Sequence, residues 1–258
     1  MKMKRITFED FKKIYKDYYK IIVDLLIKNG VPFSCACGTM LGAIRNKDII
    51  EWDYDIDNFF FIDDINKLLS IEKYLPKNLY FETYLNGKLR YGLVRICFKN
   101  IFRHNEKSTR YTNVFIDFFA IKNVNITEKR RAKIYSNVLK EEKKIAFKYC
   151  KYKSKNLLKA CLKKIYQFLL PSSKYSSNKI EKITKHLKDG NTCIMCRNCR
   201  LVSTKKIDRD DIKLVQFGDF QIPCYSNSSE ILSSLFGNDW ETPKKYEDRF
   251  IPEFYIEN

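Results

Sequence analysis

A chain of 258 residues can form one large domain or two small ones, and its 45% apolar and 15% aromatic residues exclude a disordered protein. The formal net charge is +18, but residues 128–188 hold 19 Lys and Arg against 4 Asp and Glu. Fifteen of those eighteen charges therefore lie in one stretch, and only that stretch needs an anionic partner.

The termini and cysteines favour a cytoplasmic protein. The first ten residues have no apolar run behind their positive charges, so no signal peptide is expected, and no apolar stretch is long enough to span a bilayer. The nine cysteines show no disulfide-scaffold spacing, which favours free thiols in a reducing compartment.

The first half of the chain alternates predicted helices and strands. Apolar spacing predicts a helix from Thr7, as N-cap, to Asn29-Gly30. A short strand over 31–36, a loop entering a short helix over 38–46, a strand over 55–62 and a helix over 63–74 follow. Strands over 79–85 and 90–98 flank Asn86-Gly87, which predicts a hairpin, and 114–121 is a buried strand.

The second half begins with three predicted Lys-rich helices between 127 and 188, followed by short strands and a helix over 228–236. This order predicts an α/β (α+β) fold with a mixed-sheet core and a helical insertion. We expect a catalytic core over 1–126, a basic amphipathic insertion over 127–190, and a C-terminal part over 191–258 that completes the core.

Acidic residues define the first candidate site. Asp53, Asp55 and Asp57 alternate with Tyr54 and Ile56, so a strand here would project three carboxylates from one face. Such like charges need a cation between them, and hard carboxylate oxygens favour Mg²⁺ or Mn²⁺. The sequence therefore predicts that Asp55 and Asp57 bind metal, with Asp53 as a further candidate ligand.

A lone carboxylate, Asp117, interrupts the apolar strand 114–121 and would be costly if it were ionised and unpaired. On a strand beside the first carboxylates it would face the same metal. In a two-metal arrangement Asp117 would also accept the proton of the attacking hydroxyl. Asp55, Asp57 and Asp117 are therefore the predicted catalytic residues.

Candidate phosphate-binding groups lie on either side. A turn at Gly38-Thr39 would offer backbone N–H groups at a helix start, and Gly42 would let the backbone approach closely. Arg45 and Arg95 are predicted to clamp a diphosphate with their planar guanidinium groups.

These motifs resemble those of the LicD/fukutin-type phosphotransferases. The segments that carry the resemblance are Gly38–Arg45, Trp52–Asp57, Phe115–Phe119 and Leu235–Trp240, the last of which is similar to a C-terminal Tyr-Gly-Asp signature. Tyr54 stands where the family usually has another Asp.

The resemblance implies a nucleotidyltransferase-like core of the polymerase-β type. It implies transfer of a phospho-alcohol, typically phosphocholine from CDP-choline, to a sugar hydroxyl of a cell-surface glycan or its lipid-linked precursor. By that resemblance Gly38 and Thr39 meet the donor phosphates, Asp55 and Asp57 bind metal, and Asp117 completes the site. Phosphoethanolamine, glycerol phosphate or ribitol phosphate as cargo, a DxD glycosyltransferase, and a non-enzymatic binding module are the alternatives.

Residues 155–170 form a basic amphipathic pattern. The apolar face holds Leu157, Leu158, Cys161, Leu162, Ile165, Phe168 and Leu169, with lysines opposite. Such a helix can lie at a membrane surface, which at the inner face of the membrane would bring it to a lipid-linked glycan. The alternative is that the apolar stripe packs on the core. Nucleic-acid binding is disfavoured, because the aromatic residues lie on helices rather than on a sheet.

The spacing Cys193-x-x-Cys196-x-x-Cys199 permits a zinc or iron–sulfur site, with Cys224 as the nearest fourth ligand in sequence. Free thiols are the favoured interpretation.

Overall fold

The computed structural model describes residues 3–86, 89–104, 111–149, 157–169, 173–243 and 251–257. Its helices and strands, in chain order, are β1 (Met3–Ile6), α1 (Phe8–Lys28), β2 (Ser34–Cys35), α2 (Cys37–Leu41), β3 (Ile56–Phe61), α3 (Ile65–Leu69), β4 (Leu79–Thr83), β5 (Leu93–His104), β6 (Tyr111–Val124), α4 (Glu128–Tyr149), α5 (Leu157–Leu169), α6 (Ser173–Lys185), β7 (Thr192–Met195), β8 (Leu201–Ser203), β9 (Ile212–Phe217), β10 (Phe220–Tyr225), α7 (Ser228–Phe236) and β11 (Glu253–Glu257).

One mixed sheet organises the fold. Its main path runs β1-β11-β5-β6-β3-β2, with β4 paired to β5, and β7 paired to β6 and β8. Strands β3 and β6 run parallel, whereas the neighbouring pairs β5–β6 and β2–β3 run antiparallel. Strands β9 and β10 form a separate two-stranded sheet. The structure therefore confirms a mixed α/β fold with a mixed-sheet core.

Helix α1 covers one face of this sheet. Its N-cap is Thr7, whose hydroxyl accepts a hydrogen bond from the Asp10 N–H at 3.1 Å, as the sequence predicts. Six residues of α1, from Phe11 to Leu26, are buried, and Phe11 stacks on Phe254 of β11 with the ring centroids 3.6 Å apart. Tyr19 donates a hydrogen bond to Asn58 of β3, so the residue after Asp57 points toward α1. Because side chains alternate along a strand, Asp57 projects from the opposite face.

Most predicted elements are present with shifted ends. The hairpin is confirmed, with Leu79 opposite Phe98 and Thr83 opposite Val94, although Gly87 of its predicted turn lies outside the described residues. The predicted helix over 63–74 is broken into a 3₁₀ turn, the short α3 and a second 3₁₀ turn. The three helices between 127 and 188 are confirmed as α4, α5 and α6. That they form a separate insertion stays a prediction.

Two details near the acidic motif were wrong. Helix α2 begins at Cys37, so Gly38 and Thr39 lie in its first turn rather than in a loop before it. Strand β3 begins only at Ile56, so Asp53, Asp55 and Asp57 do not share one strand face. The physical reason is a turn in which the Asp53 N–H donates to the Ile50 carbonyl at 2.8 Å, which keeps the chain out of the sheet until Ile56.

Tyr15 of α1 joins the two parallel strands at the acidic motif. Its hydroxyl donates to the Phe115 carbonyl of β6 at 2.6 Å and accepts from the Ile56 N–H of β3 at 3.1 Å. Replacing Tyr15 with Phe leaves both backbone groups without this partner, so we expect the free energy of unfolding to fall by about 2–3 kcal/mol. Urea denaturation measures this loss. The matched control is Tyr18→Phe, because the Tyr18 hydroxyl accepts a hydrogen bond from the Asn78 side chain at 2.7 Å, and its loss should cost about 1 kcal/mol or less.

Candidate active site

Charged residues form a row across four strands of the sheet. Asp57 of β3 lies beside Asp117 of β6, Asp117 lies opposite Arg95 of β5, and Arg95 lies opposite Glu82 of β4. Residues paired in this way project from the same face of a sheet. The Arg95 Nε atom donates to Asp117 Oδ1 at 2.6 Å, so that pair is neutralised. Asp57 and Asp117, by contrast, place two negative charges side by side.

Asp53 and Asp55 approach this row from the segment that precedes β3. Asp53 is buried, with 4% of its surface exposed, and its carboxylate lies against Gly38 at the start of α2. A methyl group on residue 38 would lie 2.6 Å from Asp53 Oδ2, so only glycine leaves room for this carboxylate. Thr39 holds the backbone of Asp57 in place, because the Thr39 hydroxyl accepts a hydrogen bond from the Asp57 N–H at 2.9 Å.

The negative charges of the neighbouring carboxylates disfavour the ionised form of Asp57. Burial, together with the charges of Asp55, Asp117 and Asp53, raises the pKa of Asp57 well above its usual value. Burial also raises the pKa of Asp117, although the hydrogen bond from Arg95 opposes the rise. Asp57 is therefore the carboxylate with the most to gain from a cation beside it.

The predicted phosphate-binding residues are mostly engaged within the protein. Arg95 is held by Asp117, and Arg45 donates to the Trp240 carbonyl at 3.2 Å and to the Asn46 side chain at 2.9 Å. Gly42 does allow a close approach, but to the chain itself: a methyl group there would lie 2.5 Å from the Asp48 carbonyl oxygen. Arg45 thus ties the short π-helix Gly42–Asn46, which continues α2, to Trp240 in the C-terminal segment.

A comparison with known protein families identifies the family of this chain. The family described as LicD/FKTN/FKRP, nucleotidyltransferase domain, matches residues 30–161, just over half of the chain. The chain belongs to the LicD/FKTN/FKRP family. Membership indicates a transferase of phosphotransferase type that acts on glycans. The match includes α2, the acidic motif, Arg95 and Asp117. Among curated proteins, none matches the chain closely enough to count as a relative.

A hard divalent cation fits the chemistry of this donor set. Asp55 and Asp57 offer carboxylate oxygens in a place where negative charge is in excess, which suits Mg²⁺ or Mn²⁺. Within the described ranges, however, no three His, Cys, Asp or Glu side chains already surround a metal position. The reason at Asp117 is its ion pair with Arg95. Its role as a ligand stays a prediction.

Arg197, outside the residues matched to the LicD/FKTN/FKRP family, is a site residue that the sequence did not reveal. It lies in the turn between β7 and β8, and its positive charge opposes the rise that burial causes in the pKa of both Asp57 and Asp117. Its guanidinium carbon lies 5.6 Å from the centroid of the Phe119 ring, on the same face as Asp117. Gly92 admits this turn, because a methyl group there would lie 2.9 Å from Cys196 Cβ and 3.2 Å from Arg197 N.

The cysteines around Arg197 are buried free thiols. Cys193, Cys196 and Cys199 all have raised pKa values because of burial, that of Cys199 reaching about 11. The Cys224 thiol interacts with Cys35. The free-thiol interpretation of this motif stays a prediction.

Proposed function

We propose that the chain transfers a phospho-alcohol, with phosphocholine from CDP-choline as the favoured cargo, to a sugar hydroxyl of a cell-surface glycan or its lipid-linked precursor. The observation that carries this proposal is the side-by-side placement of Asp57 and Asp117 on one sheet face, with the cations Arg95 and Arg197 beside them. Excess carboxylate next to guanidinium groups suits a metal-bound diphosphate donor. The core would be of nucleotidyltransferase type, and the enzyme would work at the cytoplasmic face of the membrane.

In this proposal the acceptor hydroxyl oxygen attacks the phosphorus of the phosphocholine group. A new P–O bond forms, the bond to the bridging oxygen breaks, and CMP leaves with that electron pair. Asp117 accepts the hydroxyl proton, a task for which its raised pKa is suited. Asp55 and Asp57 would hold Mg²⁺ or Mn²⁺, which when bound neutralises charge on the donor diphosphate.

The arginines would share the donor phosphates with α2. The N–H groups of Gly38 and Thr39 lie in the first turn of α2, but that helix start already faces the Asp53 carboxylate. We therefore assign the main electrostatic contact to Arg197, with Arg95 available once Asp117 takes up the proton. Asp53 adds negative charge beside the start of α2 and stays a further candidate ligand for the metal.

Thermal unfolding in the presence of candidate donors tests this function. We expect CDP-choline to raise the melting temperature in the presence of Mg²⁺ and much less in EDTA, because ligands that bind the native state stabilise it. CDP-ethanolamine, CDP-glycerol and CDP-ribitol are the comparison set for the cargo. A response to UDP-sugars alone would contradict the proposal and favour glycosyl transfer.

A further inference from the structure

Helix α5 presents its apolar face outward. Leu162, Ile165, Tyr166 and Leu169 follow one another at helical spacing and are 59%, 58%, 51% and 73% exposed, and the adjacent Phe168 is 83% exposed. Lys163 and Gln167, one turn apart, are the half-buried residues of this segment. A helix packed on a protein core has the opposite orientation, with the apolar side inward. The alternative that this stripe packs on the catalytic core is therefore wrong for residues 161–169.

The exposed stripe lies in the most basic part of the chain. Lys164 on α5, Lys140 and Lys143 on α4, and Lys179 and Lys182 on α6 are all exposed. Helix α4 contacts both α5 and α6, and Lys179 forms an ion pair with Glu141 at 3.2 Å that links α4 to α6. Apolar and cationic surface are thus offered by one group of helices.

This combination distinguishes among partners. A second copy of the chain would bring the same positive region against itself, and the like charges would oppose association. A nucleic acid would meet the lysines but would leave the aliphatic stripe in water. An anionic bilayer satisfies both, because its acyl boundary accepts apolar side chains while its head groups attract lysine.

We propose that α5 docks the protein on an anionic lipid surface. The stripe Leu162–Leu169 inserts at the boundary between head groups and acyl chains, and the surrounding lysines contact lipid phosphates. Among the described helices none is long and apolar enough to cross a bilayer, so this contact is peripheral. The surface is separate from the carboxylate site, and its test does not depend on the reaction assigned to that site.

Sedimentation of the full chain with lipid vesicles tests this docking. We expect binding to vesicles that contain phosphatidylglycerol, weaker binding to pure phosphatidylcholine vesicles, and a decrease with added salt. Ile165→Ser and Phe168→Ser should each reduce the lipid partition coefficient roughly tenfold, since each removes one apolar side chain that would insert into the lipid. Both residues are exposed, so both variants should keep the wild-type melting temperature.

Leu214→Ser is the matched control, because Leu214 is 54% exposed on β9, outside these helices. It should bind vesicles like the wild type. Equal loss in all three variants, or no binding by the wild type, would overturn the proposal. A wild-type dimer that dissociates in the Ile165→Ser variant would also overturn it. So would an RNA oligonucleotide that competes with vesicles for the wild type, if the Ile165→Ser and Phe168→Ser variants still bind both the RNA and the vesicles.

Discussion

Asp57→Asn should greatly reduce transfer and, in the absence of metal, make the protein more stable than the wild type. The amide keeps the size of the side chain and removes one of the neighbouring negative charges, which burial and Asp55, Asp117 and Asp53 make unfavourable in the folded state. We expect turnover to fall by about a thousandfold, because the amide is a poor ligand for a hard cation. A gain of about 1 kcal/mol would raise the melting temperature by about 2–4 °C.

Two measurements on Asp57→Asn distinguish a metal-binding role of Asp57 from a purely structural one. Differential scanning calorimetry in EDTA should show the raised melting temperature, and added Mg²⁺ should stabilise the wild type more than the variant. The matched control is Asp64→Asn, since Asp64 is also a buried acidic residue but contacts Arg209 at 3.4 Å and Lys67 at 3.5 Å. That control should lower stability and retain transfer. A less stable Asp57→Asn protein would contradict the repulsion argument.

Arg197→Ala should reduce the catalytic efficiency by about 10²–10³-fold, the loss typical of removing one fixed positive group from a charged transition state. Its charge already acts on Asp57 and Asp117, so its guanidinium lies where a metal-bound diphosphate would accumulate negative charge. Steady-state kinetics with varied donor concentration measures the effect. Arg197→Lys should recover part of the loss, because it restores the charge without the planar group.

Arg209→Ala provides the comparison for Arg197. Arg209 also lies over a phenylalanine of the sheet, with its guanidinium carbon 5.0 Å from the Phe61 ring centroid, but it pairs with Asp63 and Asp64 instead of the candidate catalytic carboxylates. The Arg209→Ala variant should be less stable than the wild type and should keep the wild-type kinetic constants. Equal kinetic losses in both variants would show that stacking on the sheet, rather than charge at the site, explains the effect of Arg197.

The sequence was sufficient to predict those site residues whose pattern reflects local structure. Asp117 interrupts an apolar strand, and Asp57 is the last of three alternating carboxylates, so both were predicted at one site. The parallel register of β3 and β6 places them side by side. The same alternation misled at Asp53 and Asp55. A turn closed by the Asp53 N–H and the Ile50 carbonyl determines the path there, and side-chain periodicity does not reveal it.

Long-range packing explains what the sequence did not reveal. Arg197 follows Asp117 by 80 positions and reaches the site only because β7 pairs with β6 and Gly92 admits the next turn. In the sequence, the spacing of the three cysteines around Arg197 indicated a possible metal site and gave no sign of a role for the arginine. For α5, apolar periodicity correctly predicted an amphipathic helix. Which side of α5 is exposed depends on tertiary contacts, and in residues 161–169 only Lys163 and Gln167 are half-buried.

The most direct test of the carboxylate site is the uptake of Mn²⁺ by the full chain in the presence of CDP-choline, followed as loss of the free-ion signal in electron paramagnetic resonance. We expect the wild type to take up Mn²⁺, CDP-choline to increase the uptake, and Asp57→Asn to lose most of it. Equal uptake by the wild type and Asp57→Asn, or none by the wild type, would contradict a metal-dependent donor site at Asp55 and Asp57.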